Sequence, residues 1–187
     1  MNIENAIIEA TNKLIQKNIK SSKLDSEILM SKVLKKDRKF IILNSQLKLK
    51  RSSLNYFKNL VKKRSIGKPI AYLVGFKEFW NNKFIINENV LIHRPDTEIV
   101  IEEVLRFSKY KNKLKVLDVG TGSGCILLTI LNEKKDFLGV GIDKSAQCVR
   151  LSKTNALNIG VKNRVKFFKT DVDNFNYGKY DLIISNP

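Results

Sequence analysis

Seven residues in the last third of the chain, Asp118-Val119-Gly120-Thr121-Gly122-Ser123-Gly124, set three glycines at alternate positions behind a carboxylate. Glycine has no Cβ, so backbone built this way can approach a ligand closely, and a helix starting behind it offers free N–H groups. A second carboxylate, Asp143, stands roughly 20 residues on or slightly more, where an acidic side chain can accept both hydroxyls of a ribose. The dinucleotide fingerprint G-x-G-x-x-G would want glycine where Cys125 stands. A G-x-G-x-G turn with an acidic residue at the strand end suits S-adenosylmethionine better, because no pyrophosphate has to be held. The plain alternative is an ordinary strand–helix turn with Asp143 capping the next helix.

The elements that must position these residues alternate. Apolar runs at 115–120, 137–143, 165–171 and 180–185 read as strands, and 125–131 and 145–158 read as helices between them. Such alternation predicts a parallel sheet covered on both faces. Ligands of such sheets bind at the carboxyl ends of the strands, which here carry Gly120, Asp143, Asp171 and Asn186. Cys125 and Cys148 read as small helix residues, and no metal site is read anywhere in the chain.

The first sixty-odd residues follow a helical period instead. Ile3, Ile7, Ala10 and Leu14 make one apolar stripe; Leu24, Ile28, Leu29 and Val33 make a second, with Ser21 or Ser22 as cap and Asp25 completing a capping box from Ser22. A short segment at 38–43 and a helix behind Ser52 or Ser53, carrying Leu54, Phe57, Leu60 and Val61, complete a small bundle. Gly67 and Pro69 end this pattern. IAYLVGFKEFW and KFIIN, around Asn81-Asn82, then read as two β-runs of a hairpin, because Asn tolerates the positive φ of tight turns. Pro95 approaches a helix start that Asp96 or Thr97 can cap. His93, the single histidine, reads as a structural or exposed loop residue rather than a catalytic one.

The composition, 43% hydrophobic and 28% charged over 187 residues, is that of a globular chain. No apolar run approaches the roughly 20 residues that span a bilayer, and the start lacks the basic and apolar regions of a secretory signal, so a cytoplasmic protein is expected. The net charge of +17 has two readings. One is a nucleic-acid-facing surface. The other, preferred here because the Lys residues are scattered and Asn and Ile are also abundant, is a compositional bias.

Three blocks together, PIAYLVGFKEFW with FIIN and NVLIHRPDTE, then VLDVGTGSGCI, then YDLIISNP, resemble the release factor glutamine N(5)-methyltransferase family, the HemK-type protein methyltransferases. The likeness runs from the helical region, where LDSEILMSKVL also fits, to the last residue. The resemblance implies an α/β protein: a helical substrate-docking domain (1–68), a β-hairpin and linker (69–95), and the first part of a Rossmann-like S-adenosylmethionine-dependent methyltransferase domain (96–187). It implies a peptide chain release factor as partner and the glutamine of its Gly-Gly-Gln motif as substrate. Asn186 and Pro187 match the first two positions of the family's Asn-Pro-Pro-Tyr motif and become the catalytic pair. The Asn186 side-chain oxygen and the Pro187 carbonyl would each accept one N–H of the substrate amide. Asp118, Gly120 and Gly122, with Thr121 and Gly124 in the same loop, would hold the methionine end of the cofactor, Asp143 the ribose, and Asp171 would lie near the adenine.

Two departures stand out. His93 replaces the family's usual Pro, and the second Pro and the Tyr of the motif are missing. The chain is therefore expected to be a truncated, inactive or partial form, whose fourth strand offers an exposed edge for association. Two other functions compete: an adenine-N6 methyltransferase acting on nucleic acid, which shares Asn-Pro-Pro-Tyr-like ends, and a non-enzymatic remnant that binds a release factor. The hairpin and LIHRPDTE block argue against the first, so no direct nucleic-acid contact and no membrane contact is expected.

Overall fold

Residues three or four apart fall on one side of a helix. In the computed structural model, which describes residues 1–186, Ile3, Ala6, Ala10 and Leu14 are accordingly all buried on α1 (Ile3–Ile15), whose first turn is capped by Asn2 accepting from the Asn5 N–H at 2.9 Å. The second stripe forms α2 (Ser22–Leu34). The capping box expected between Ser22 and Asp25 is not made. Asp25 is buried and accepts instead from Arg64 Nε at 2.7 Å and Ser21 Oγ at 2.9 Å. A carboxylate taken out of water needs a cationic partner more than a helix end needs its cap. α3 (Arg38–Leu43) is capped by Asp37, and α4 (Arg51–Ser65) begins ahead of the two serines, with Lys50 at its cap position.

The stretch expected as a first β-run divides in two. Pro69 opens and Gly75, at φ +87°, closes a short helix α5 (Ile70–Val74) that buries Ala71 and Leu73. Only FKEF remains extended. The five helices make one compact unit, Met1–Gly75, around Ile3, Leu14, Leu29, Met30 and Phe57.

The second unit, Phe76–Pro187, starts with the hairpin of β1 (Phe76–Phe79) and β2 (Asn82–Ile85). Phe79 stands opposite Asn82, so the turn residues are Trp80-Asn81 rather than the two asparagines. Trp80 takes the positive φ, +50°, which is rare for a bulky residue. Two carboxylates hold it there: Glu98 accepts its N–H at 2.8 Å and Glu133 its indole Nε1–H at 3.1 Å.

A 3₁₀ turn (Pro95–Thr97) leads into α6 (Glu98–Phe107). Then come β3 (Lys115–Val119), α7 (Cys125–Glu133), β4 (Leu138–Asp143), α8 (Ala146–Ile159), β5 (Val165–Lys169) and β6 (Leu182–Ser185). The four strands are parallel in the order β5-β4-β3-β6. Val116, Phe167 and Ile184 join α6, α7 and α8 in the main core. On the opposite face Leu117, Val140 and Ile142 pack against Phe168, Phe175 and Tyr180, so residues around and beyond the end of β5, not a helix, cover that side. β6 pairs with β3 alone among the described residues, and Ile183 is 63% exposed.

His93 is structural. It is 6% exposed, its ring centroid lies 4.8 Å from that of Phe79, and Nε2 lies 3.1 Å from the Glu78 carbonyl oxygen. A carbonyl only accepts, so Nε2 carries the hydrogen in the neutral ring. Nδ1 has no partner among the described residues. Burial lowers the imidazole pKa below 6.5; the Glu78 carbonyl opposes this, Lys77 adds to it, and Glu98 offsets part. A base whose folded pKa is depressed takes up its proton more readily when unfolded. Stability is therefore unaffected by this group above pH 6.5 and falls as the pH drops below that value. Because His93 is the only histidine, its Hε1 proton resonance is unambiguous. Its NMR titration should give a midpoint below 6.5, and a midpoint at or above 6.5 would contradict the buried neutral ring.

Candidate active site

The register of three strands determines what meets at their carboxyl ends. Val119 pairs with both Ile142 of β4 and Ser185 of β6. The residues that follow, Gly120, Asp143 and Asn186, therefore leave three adjacent strands at one level. Two further bonds lock the corner: the N–H groups of Gly120 and Thr121 both donate to the Ile142 carbonyl, at 3.0 and 2.9 Å. Ser185 Oγ donates to the Val119 carbonyl at 3.1 Å.

A cleft of about 300 Å³ opens at this edge, lined chiefly by Gly120, Asp143, Lys144, Thr170, Asp171 and Ser185. Gly120 has φ +74°, and a Cβ built on it meets nothing within 4 Å, so a side chain there would enter open space in the cleft wall. That is a cradle shaped by the missing Cβ, and it fits a close-lying ligand. Gly124 differs. At φ +80°, its Cβ would come within 2.8 Å of Leu128 Cδ1 and 3.2 Å of Ser152 Cβ, so this glycine serves helix packing.

The four carboxylate and hydroxyl positions of the sequence reading separate into two layers. Asp143 and Asp171 line the cleft, whereas Asp118 is 2% exposed and Thr121 is buried beneath the loop. Thr121 Oγ1 donates to Asp118 Oδ2 at 2.7 Å, and Asp118 takes no part in the lining. Burial raises the Asp118 pKa to about 6, against the opposing bonds from Thr121 and the Leu127 N–H; nearby Asp143 adds to the rise. Asp143 ties the loop from outside: Oδ2 accepts the Gly122 N–H at 3.0 Å and Oδ1 the Ser145 N–H at 2.8 Å. Helix capping of α8 falls to Ser145, which accepts from Gln147 and Cys148. Each carboxylate oxygen keeps a lone pair for a further donor.

Three features escaped the sequence. Lys144 forms an ion pair with Asp171 across the cleft, Nζ to Oδ2 at 2.8 Å, which holds the Asp171 pKa below the usual carboxylate range. Asn155 is fully buried on α8: Nδ2 donates to the Ile85 carbonyl at 3.0 Å and the Ser123 carbonyl at 2.9 Å, while Oδ1 accepts the Ile85 N–H at 2.8 Å. It joins the glycine loop to the hairpin. Thr97, read as a possible helix cap, caps no backbone group with its side chain and instead accepts a hydrogen bond from Asn186 Nδ2 at 3.2 Å. Only the last had a visible signal, since Thr97 lies inside the LIHRPDTE block. Pro187 lies outside the described residues.

Each of the two units matches a known family. Residues 5–75 match the PrmC N-terminal domain and residues 97–187 the methyltransferase small domain. A release factor glutamine methyltransferase of Buchnera aphidicola from Baizongia pistaciae is 40% identical over 191 residues, spanning 100% of this chain and 67% of that protein. The chain belongs to the release factor glutamine methyltransferase family. The enzyme of that name from Buchnera aphidicola from Schizaphis graminum is 38% identical across the whole chain, and so is that of Clostridium acetobutylicum. The chain spans about two thirds of the length of these curated relatives, 66% in the first case. A crystal structure of a SAM-dependent methyltransferase from Geobacter sulfurreducens, in complex with S-adenosyl-L-homocysteine, aligns with 49% of this chain and 36% of its own at 28% identity and a TM-score of 0.42.

The two glycines should respond differently to the same change. Both sit at positive φ, where Ala costs roughly 1–2 kcal/mol. Gly124→Ala adds overpacking of about 1–3 kcal/mol and should show the larger loss in urea denaturation. Gly120→Ala should stay better folded yet weaken S-adenosylmethionine binding measured by calorimetry. Equal destabilisation with unchanged cofactor affinity at Gly120 would contradict the assignment of its open side to the ligand.

Proposed function

We propose that this chain contributes the cofactor cradle and the substrate-amide grip of an enzyme that methylates the side-chain nitrogen of glutamine in the Gly-Gly-Gln motif of a peptide chain release factor. The observation that carries this reading is the strand register. Ser185 stands opposite Val119, so Asn186 leaves β6 beside the Gly120 corner of the cleft. Neighbouring strands lie about 4.8 Å apart, which is within reach of both a bound methyl donor and an amide presented to it.

An amide nitrogen is a weak nucleophile because its lone pair is shared with the carbonyl. S-adenosylmethionine supplies an electrophilic methyl group, and the task left to the chain is alignment. Asn186 Nδ2 is engaged by Thr97, so Oδ1 is the end of the carboxamide that can accept an N–H of the substrate glutamine. The Pro187 carbonyl is assigned the other N–H from the family motif. Two acceptors on the two hydrogens fix the plane of the amide and favour the positive charge that develops as its nitrogen is alkylated. The role assigned to Asp143 is to accept the ribose hydroxyls with its remaining lone pairs. Asp171 is assigned to the adenine side, where Lys144 must yield or share it. Asp118 is assigned to supporting the loop through Thr121 beneath the methionine end, rather than to direct contact.

The test is incubation with labelled S-adenosylmethionine and a release factor, followed by mass analysis of the Gly-Gly-Gln peptide. A parallel reaction carries an adenine-containing oligonucleotide. From a full-length protein that carries this sequence, label on the glutamine is expected, and label on the oligonucleotide alone would replace this reading with the nucleic-acid one. Asn186→Ala should lower glutamine methylation by roughly 10²- to 10³-fold while leaving cofactor affinity intact. Asp143→Ala should do the reverse first, weakening cofactor binding; an unchanged dissociation constant would remove it from the ribose.

A further inference from the structure

The two ends of an asparagine carboxamide are nearly equal in size, but only one accepts a hydrogen bond. Asn186 is exposed, so packing does not choose which end faces the substrate. We propose that Thr97 is the positioning residue that tethers the Asn186 carboxamide and holds it still for the substrate amide; the inference rests on the assignment of Asn186 made above.

The Thr97 side chain has only 6% of its residue surface exposed, and its Oγ1 lies 3.2 Å from Asn186 Nδ2. With Nδ2 drawn to that hydroxyl, Oδ1 points away from it and accepts no bond among the described residues. A carboxamide left untethered would turn, at times aiming its N–H groups at the N–H groups of the substrate, and the amide would not settle in line with the methyl donor.

The local fold frees Thr97 for this task. A threonine at a helix start commonly takes extended backbone angles and turns its hydroxyl to the next turn's N–H groups. Thr97 is already helical, at φ −64° and ψ −20°, and makes no such bond. The turn that carries it is held from several sides. Its own N–H donates to the Arg94 carbonyl at 3.1 Å, Pro95 fixes the first position, and Lys77 Nζ donates to the His93 carbonyl at 2.7 Å. The next residue, Glu98, is anchored by the Trp80 N–H. The hydroxyl is thus presented from a fixed support to a side chain at the end of β6.

The experiment compares Thr97→Val, close in shape but lacking the hydroxyl, with Thr97→Ser, which keeps it and lacks the methyl. The first readout is ¹⁵N relaxation and chemical shift of the Asn186 side-chain amide in the unliganded chain. The valine variant should show a more mobile amide with shifted resonances, and the serine variant should resemble the unsubstituted chain. The second is methylation of a release factor: valine should lower kcat by roughly 10- to 100-fold with KM and cofactor affinity little changed, and serine should restore it. An Asn186 amide equally ordered in the valine variant, or a serine variant that behaves like valine, overturns the proposal. If a full-length protein that carries this sequence methylates no glutamine, the functional reading above fails, while the amide relaxation still decides whether Thr97 holds Asn186.

Discussion

The bond that organises this molecule is the pairing of β3 with its two neighbours in a single register. Parallel ladders bond every strand residue at an even slant, so adjacent strands deliver their ends side by side. Here Val119 has Ile142 on one flank and Ser185 on the other. The glycine turn, Asp143 and Asn186 are each ordinary in isolation. They become a site because one ladder sets them level, and because the Ile142 carbonyl takes two successive N–H groups of the turn. A one-residue slip of β6 would send Ser185 to the wrong face and move Asn186 off the cleft.

Burial then sorts the acidic residues by task. Asp118 lies under the loop, where removal from water raises its pKa to about 6, and it is spent on Thr121 and the start of α7. Asp143 is half-buried, with both oxygens already holding backbone N–H groups. Asp171 is likewise half-buried and answers to Lys144. Only Asp118 is taken fully out of water. A pair whose lysine is exposed, such as Lys144 and Asp171, adds little to stability, but it sets the charge at the cleft mouth.

Much of this was legible in the residues. The continuous apolar runs marked four strands to within a few residues, and the glycine turn and Asp143 fall at the strand ends where the strand–helix alternation put them, because backbone shape and sequence are tightly linked at such turns. The misses share a cause. IAYLV has the composition of a strand and became a helix because its apolar side packs into the first core, against residues of helices distant in sequence. The hairpin turn fell on Trp80 rather than on the asparagines, since two distant carboxylates hold the aromatic residue in place. Asp25 deserted its helix cap for an arginine 39 residues away. Each was decided by a partner remote in sequence, which local pattern does not encode.

Asn155 has one more consequence. The N–H and C=O of Ile85 are both taken by its carboxamide, as a neighbouring strand would take them. A single side chain thus imitates one residue of a third strand. At that point the β2 flank of the two-stranded ribbon is not open for another chain to add itself, and it is closed by a helix residue whose remaining bond goes to the glycine turn. Protection against unwanted pairing and support of the ligand loop are therefore met by the same amide.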